Sequence, residues 1–323
     1  MGIALDIIYN VGILFIMMIP GIIMKRGKLC SDGFGKGVSN LVLYVAQPCL
    51  IFRAYIKAFD MDVLINALVV LLLSVLAHCV FLLALLFFND TTEDRRRMLR
   101  FATIFSNAAF MGIPLIEAVL GSEFTIYASI YNITFNMFLW TLGVHICTDN
   151  NVLDSGEVLK SQASIKKALI HPVTIAAALG LVYFFLPLGP AEMPELAMEC
   201  LTMISALVAP LSMLVLGLRI AEIDLRGFFK DKNVYFFVAL RHVALPALVF
   251  GVLGALKLIG LPISYEIFMV TMILASAPAA SSATMFAEKY DCDAAYVSKL
   301  VAFSTILSIL TMPLMALPVS LLY

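Results

Sequence analysis

Long apolar runs separated by short polar stretches follow one another along the chain, and this pattern predicts membrane-spanning helices. A helix that crosses the hydrocarbon core needs about 20 mainly apolar residues. Ten segments meet this requirement, and we number them as spans one to ten. They are 4–24, 37–56, 62–88, 97–120, 124–147, 167–187, 196–218, 233–256, 262–287 and 294–322. The chain is therefore expected to be an all-α polytopic membrane protein.

The composition agrees with this prediction and narrows the function. Apolar residues make up 62% of the chain and charged residues 13%, against roughly 45–50% and about 25% in ordinary soluble domains. The net charge of −1 gives no indication of a nucleic-acid partner. The six cysteines are scattered without CxxC spacing, which indicates neither a metal site nor a disulfide framework. No cofactor is expected.

The distribution of basic residues predicts the orientation in the membrane, because Lys and Arg collect in cytoplasmic loops. Basic residues cluster after spans one, three, five and seven and around the turn between spans nine and ten, whereas the alternate loops hold only Arg53, Lys57 and Lys257. Both termini are therefore expected to lie on the outer side of the cell inner (cytoplasmic) membrane. The clustered residues are Lys25, Arg26, Lys28, Lys36, Arg95, Arg96, Arg97, Arg100, Lys160, Lys166, Lys167, Arg219, Arg226, Lys230, Lys232, Lys289 and Lys299.

The longest polar connection, 148–166, divides the chain into two halves of five spans each, 1–147 and 167–323. An odd number of spans per half inserts the two halves upside down relative to each other, which generates an inverted repeat. Proline spacing supports this division: Pro48 precedes Pro114 by 66 residues, and Pro210 precedes Pro278 by 68. Span two thus matches span seven, and span four matches span nine.

Spans four and nine each carry a helix-breaking sequence, at Gly112-Ile113-Pro114 and at Pro278 in ASAPAASSATMF. At a break, backbone N–H and C=O groups lose their helical partners, and hydrocarbon offers no replacement. Interrupted apolar segments at corresponding positions of two halves indicate a transporter binding site.

The segment that contains the first break, NAAFMGIPLIEAVLG at 107–121, resembles the auxin efflux carrier family. The stretches IHPVTIAAALGL, APLSMLVLGLRIA, YNITFNMFLWTLG and APAASSATMFAEKYDCDAAYVSKLVAFSTILSILTMP are also similar to that family. Plant members export auxin, and bacterial members are mostly assigned to organic acids. His171 and Ser282 depart from the asparagines that many members have there, and the long central loop of plant carriers is absent. The resemblance implies a bacterial-type member with a scaffold of spans 1, 2, 6 and 7 and a mobile unit of spans 3–5 and 8–10, in which the broken helices of spans four and nine cross.

The breaks also predict the kind of solute. A half-helix that begins at a break presents about half a positive charge and unpaired N–H donors, so two such ends attract an anion such as a carboxylate. The central site is predicted to consist of Asn107, Gly112, Pro114, Ser276, Pro278, Ser281 and Ser282. Asn107 could bind the carboxylate, the role that the resemblance favours, or brace the carbonyls freed around Gly112. Ser281 and Ser282 could bind the solute or bond back to carbonyls of their own helix.

Four further residues are candidates for the edge of this site. Asn132 and Asn136 share one face of span five and could contact the substrate or, as we favour, hydrogen-bond to span four. Gln47 could satisfy a carbonyl freed by Pro48 or line the cavity. Arg241 lies within reach of the cytoplasmic boundary, where it could attract anions or contact lipid headgroups.

The sequence predicts a secondary transporter that moves a small organic anion by alternating access. The sequence does not decide whether the membrane potential or a coupled H⁺ or Na⁺ drives transport. It also does not decide whether the protein forms a homodimer through the scaffold. Alternatives are a membrane sensor that retains the carrier fold and a carrier of a non-carboxylate solute. No ATP-binding motif or catalytic constellation is present, so an enzyme is not expected. No Asp or Glu falls near the middle of a span, which argues against sodium–proton exchange.

Overall fold

The computed structural model describes residues 2–31, 33–148, 169–222 and 228–323, and all regular structure within them is helical. The predicted linker at 148–166, apart from its first residue, lies outside these residues, as do Lys166, Lys167 and Arg226. The first half contains α1 Gly2–Ile16, α2 Ile19–Arg26, α3 Phe34–Leu41, α4 Gln47–Ala54, α5 Met61–Phe81, α6 Glu93–Ile104, α7 Ile113–Val119, α8 Thr125–Phe138 and α9 Val144–Cys147. The second half contains α10 Pro172–Phe185, α11 Glu195–Ser205, α12 Val208–Ala221, α13 Lys232–Val238, α14 Leu245–Leu258, α15 Tyr265–Ser276, α16 Ser282–Lys289 and α17 Ala294–Ala316.

Several of these helices run on into their neighbours and form segments that are long and apolar enough to cross a membrane. In the part of the chain that the structure describes, six such segments are found, which confirms a polytopic membrane protein. They are Ile7–Arg26, Phe34–Ala54, Met61–Leu86, Glu195–Ala221, Lys232–Leu258 and Ala294–Ser320. The total of ten spans remains a prediction.

Three prolines near the start of a helix are each preceded by a π-helical turn. Turns of this kind, at Val42–Ala46, Ala108–Gly112 and Ala239–Ala244, lead directly into α4, α7 and α14. The second residue of each following helix is Pro48, Pro114 or Pro246. Proline lacks an N–H and its ring crowds the preceding turn, and the wider π turn accommodates both defects without interrupting the helix.

The prediction that the first break lies at Gly112-Ile113-Pro114 is therefore wrong, because the chain is helical through these residues. The helix is interrupted earlier, between Ile104 and Ala108, while the second interruption follows Ser276 and includes Pro278 as predicted. The two interruptions meet as short antiparallel extended segments. The Asn107 N–H donates to the Pro278 carbonyl at 2.7 Å and the Ala280 N–H donates to the Phe105 carbonyl at 2.9 Å. We call this contact the crossing.

Helix packing places the crossing between two groups of helices. In one group α2 packs on α12, and α4 packs on α10 and α11. In the other, α5 packs on α8, α14 and α15, and α17 packs on α6, α15 and α16. Contacts of α12 with the π turn at Ala108–Gly112 and with α17, and of α8 with α4 and α10, join the groups. Helix α1 packs on α7 and α17 and also contacts α12. All helices of the crossing, α6, α7, α15 and α16, pack within or against the second group.

The close approach of α2 and α12 depends on two glycines, each of which faces the backbone of the other helix. A Cβ added at Gly217 would overlap the carbonyl oxygen of Met18, and a Cβ at Gly21 would overlap that of Leu214. Small residues allow such close backbone approach in membrane helices, where association depends on van der Waals packing. Neither position has room for even one methyl group.

We expect Gly217→Ala to force α2 and α12 apart and to cost about 1–3 kcal/mol, the usual penalty for overpacking a tight site. The measurement is the melting temperature of the purified protein in detergent. Gly12→Ala in α1 is the matched control, because a Cβ there meets no atom within 4 Å. Equal melting temperatures for the two variants would contradict this account of the helix pair.

Candidate functional site

A cavity of about 770 Å³ lies against one side of the crossing. Its lining combines the two extended segments with side chains from α4, α8, α10, α12 and α17. Lys25, Lys36 and Lys299 line it as well, so the cavity includes residues from the predicted cytoplasmic loops. Its size lies within the range of about 300–1,000 Å³ that is usual for small-molecule sites.

The part of the cavity wall formed by the crossing contains the starts of both half-helices. Ser106, Asn107 and Ala109 line it from the first half, and Ser281 and Ser282 from the second. The first N–H groups of a helix have no partner within that helix, and the helix dipole gives this end a partial positive charge. The cavity therefore borders two positive helix ends.

Asn107 and Ser281 join the two half-helices side chain to side chain. The Asn107 Nδ2 donates to the Ser281 Oγ at 3.2 Å, and both residues are buried. Ser281 was expected either to hold substrate or to bond back to its own helix, and its hydroxyl instead accepts this bond from the other half. The hydroxyl of Ser282, which also lines the cavity, is buried without a hydrogen-bond partner among the described residues.

The opposite ends of the broken helices, where α6 and α15 finish, are held by one buried cation. Arg241 is fully buried; its Nη1 donates to the Thr103 carbonyl at 3.2 Å and its Nη2 to the Ala275 carbonyl at 3.2 Å. The same Nη2 also donates to the Ala277 carbonyl, and the guanidinium stacks over Phe81, 4.7 Å from the ring centre. A cation is favourable at helix C-termini, whose free carbonyls carry partial negative charge.

This position corrects the expectation for Arg241. Neither a headgroup contact nor a place in the cavity is found, because the side chain turns inward to carbonyls from both halves of the chain. The physical reason is that two helix ends offer more acceptors to the guanidinium than a single helix in lipid would. The crossing is therefore polarised, with an arginine on its negative helix ends and the positive ends left to the cavity.

Three amide side chains predicted for the edge of the site line the cavity. The Gln47 Nε2 lies 3.4 Å from the Ala109 carbonyl, to which it donates, and this contact links α4 to the first half-helix. The Asn136 Nδ2 donates to the Asn132 carbonyl at 3.0 Å within α8, so the favoured bonding of these two residues to span four is not found. The side-chain oxygens of Gln47 and Asn132 are buried without a hydrogen-bond partner in the described structure.

The other predicted site residues do not line the cavity. Gly112 packs closely on Leu274, whose Cδ2 would lie 2.6 Å from an added Cβ. Ser276 donates back to the Met272 carbonyl of its own helix at 2.7 Å. Pro114 is buried one turn into the half-helix, and Pro278 contributes a backbone carbonyl to the crossing. These residues shape the crossing and do not border the cavity.

Some cavity residues were not predicted as part of the site. They include Phe110, Phe135, Trp140 and Arg219. The three aromatic residues look like ordinary packing residues in an apolar sequence, and Arg219 was counted only with the cytoplasmic loop charges. The sequence nevertheless contained a signal that could have identified Arg219 as a cavity residue. It lies nine residues after Pro210, which puts a cation at the end of a helix that lines the cavity.

On the side away from Lys25 and Lys36, polar contacts close the boundary between the two helix groups. Arg53 of α4 pairs with Glu117 of α7 at 2.5 Å. The Tyr55 hydroxyl lies 2.8 Å from the Ser129 Oγ, and the Lys57 Nζ donates to the Glu123 carbonyl at 3.3 Å. A smaller cavity of about 290 Å³, bordered by Arg53, Lys57 and Thr125, lies here.

Comparison with known proteins identifies the class of protein in which this site occurs. The Membrane transport protein family matches residues 6–316, so the chain is a membrane transporter and not an enzyme. It belongs to that family, which is of the auxin efflux carrier type that its motifs resemble. It is also 26% identical over 307 residues to an uncharacterized transporter of Methanothermobacter thermautotrophicus, a match that covers 93% of this chain and 94% of the relative.

We expect Arg241→Met to destabilise the protein strongly. The substitution keeps an unbranched apolar stem but leaves the carbonyls of Thr103, Ala275 and Ala277 without this donor, and each buried unsatisfied group costs about 1–3 kcal/mol. The measurement is the yield of monodisperse protein and its melting temperature. Arg26→Met, which removes an exposed cation, is the control, and a comparable small effect of both variants would show that Arg241 does not hold the crossing.

Proposed function

We propose that the protein is a secondary transporter that carries a small organic anion across the cell inner membrane by alternating access. The observation that carries this proposal is the polarised crossing, because it presents two positive helix ends, Asn107 and Ser281 to a large cavity. A carboxylate satisfies such unpaired N–H donors well. The aromatic and aliphatic part of the lining suits the apolar body of an organic acid.

The proposal includes the arrangement in the membrane. Ten spans form two inverted repeats, 1–147 and 167–323, with both termini outside. Spans 1, 2, 6 and 7 form the scaffold, and spans 3–5 and 8–10 form the mobile unit that carries the crossing. Packing of α2 on α12 and of α4 on α10 and α11 supports the first group. In this orientation the cavity opens to the cytoplasm, and the contacts of Arg53 and Tyr55 close the outer side.

The substrate test is uptake by proteoliposomes of radiolabelled benzoate, lactate, succinate and citrate, which differ in size and charge. We expect Asn107→Ala to lower the uptake of the best of these probes at least tenfold, because the amide holds the Ser281 hydroxyl and borders the cavity. The measurement is the initial rate at several probe concentrations. Loss of a hydrogen bond to a charged group accounts for a factor of this size.

The matched control is Asn40→Ala, which removes an amide from the exposed part of the same cavity. Its rate should stay within about twofold of the wild type. If Asn107→Ala folds and transports like the wild type, the crossing is not the binding point. If the wild type takes up none of the four acids while an uncharged solute is transported, the anion class is wrong.

We also expect Glu117→Gln to increase access from outside by weakening the bond to Arg53. The readout is a Thr125→Cys substitution in a cysteine-free background, because Thr125 is buried beside the smaller cavity. Labelling of intact cells with a membrane-impermeant maleimide should be several-fold faster with Glu117→Gln. Glu123→Gln is the control, since Lys57 binds the backbone carbonyl of Glu123, which the substitution keeps. Equal labelling rates with Glu117 and with Glu117→Gln would exclude the ion pair as a closing contact.

A further inference from the structure

Arg219 brings a guanidinium from the first helix group to the crossing. It lies near the end of α12, which packs on α2, and its Nη1 donates to the Ser281 carbonyl at 3.1 Å. Ser281 is the residue at which the second half-helix begins and the one that Asn107 contacts. Arg219 also lines the large cavity together with Ser281 and Ser282. A cation thus stands beside the positive end of α16.

The guanidinium retains most of its hydrogen-bonding capacity. Arginine has five N–H donors, and among the described residues Arg219 makes the single hydrogen bond to Ser281. Glu222, three residues further along the chain, is bound to Lys25 at 2.6 Å. No carboxylate of the described residues lies within 4.0 Å of the Arg219 nitrogens. Unused donors of a partly buried guanidinium that border a cavity are suited to a planar anion such as a carboxylate.

We propose that Arg219 is a substrate-binding residue that holds the carboxylate only while the site is open to the cytoplasm. This inference rests on the proposed function and adds a residue from the scaffold to the site of the mobile unit. The carboxylate would lie between the start of α16 and the guanidinium, where it receives N–H donors from both. Because Arg219 belongs to α12, movement of the crossing toward the outer side separates it from Ser281. The substrate then loses a charged partner before its release.

A side-specific role of this kind makes a kinetic prediction. Removal of Arg219 raises the KM measured from the cytoplasmic face and leaves the KM from the outer face nearly unchanged. The factor should be tenfold or more on the cytoplasmic face, which is about the effect of losing a charge-assisted hydrogen bond. Removal of a residue that merely stabilised the fold would change the KM from both faces alike. If Arg219 acted only through its charge, removal of another cation of the cavity would change the KM in the same way.

The experiment compares everted and right-side-out membrane vesicles that contain the full chain, with radiolabelled succinate as the probe and benzoate as a second probe. The variants are Arg219→Gln, Arg219→Lys, and Lys299→Gln as a matched control that removes a cation from the same cavity. We expect the tenfold increase in KM only for Arg219→Gln in everted vesicles. Arg219→Lys should recover at least half of this effect on a logarithmic scale, and Lys299→Gln should stay within about threefold of the wild type.

Each other outcome counts against the inference. Equal increases from both faces, an unchanged KM, or the same change in Lys299→Gln would exclude a side-specific ligand. If the wild type transports a probe and Asn107→Ala abolishes this transport while Arg219→Gln has no effect, the proposed function stands and the role of Arg219 is wrong. If the wild type transports neither probe from either face, the proposed function and the role of Arg219 are both wrong for carboxylates.

Discussion

The pair of backbone hydrogen bonds at the crossing makes the rest of the structure possible. An unwound chain inside the hydrocarbon region exposes N–H and C=O groups that lipid does not satisfy, and here each unwound segment is the partner of the other. Asn107 bonds to Pro278, and Ala280 bonds to Phe105. Ser304 accepts the Ala279 N–H at 2.8 Å. Because the segments come from different halves of the chain, neither interruption would be stable alone, and the site exists only in the assembled protein.

Arg241 determines what kind of ligand such a crossing favours. Four half-helix ends meet there, two positive and two negative, and without a counter-charge their effects on a nearby ion would largely cancel. The arginine occupies the negative ends through three carbonyls, so the cavity borders the positive ones. Burial of an arginine costs about 2.5–3.5 kcal/mol or more at the bilayer centre, and bonds to helix C-termini offset that cost. A cation in the interior can therefore favour an anion that it does not touch.

The sequence predicted the features that depend on local composition. Apolar runs indicated the spans, and Asn107 and Ser281, the polar residues at the start of each half-helix, were identified because they lie beside the predicted helix breaks. The position of the first break was not predictable in the same way. Gly112 and Pro114 signal a local defect in hydrogen bonding, but a π turn absorbs that defect without unwinding. The true interruption depends on where the other half approaches, which is a tertiary property. The contacts of the Arg241 and Arg219 side chains could not be predicted for the same reason. A long side chain can reach in several directions, and only the packed helices select one of them.

The polar contacts within the crossing differ in kind from those between the crossing and the helices α4 and α12. Within the crossing the backbone segments are bonded to each other and to Arg241 and Ser304, so separating them would leave several buried groups unsatisfied at about 1–3 kcal/mol each. Across the boundary with α4 and α12 the polar contacts are single side-chain bonds, such as those of Gln47, Arg53, Tyr55 and Arg219. Water in an opening cavity can replace bonds of this kind at small cost, whereas the crossing has no such access on its Arg241 side. Under the proposed alternating access, the site is therefore better moved as an intact crossing past α4 and α12 than opened at the crossing itself.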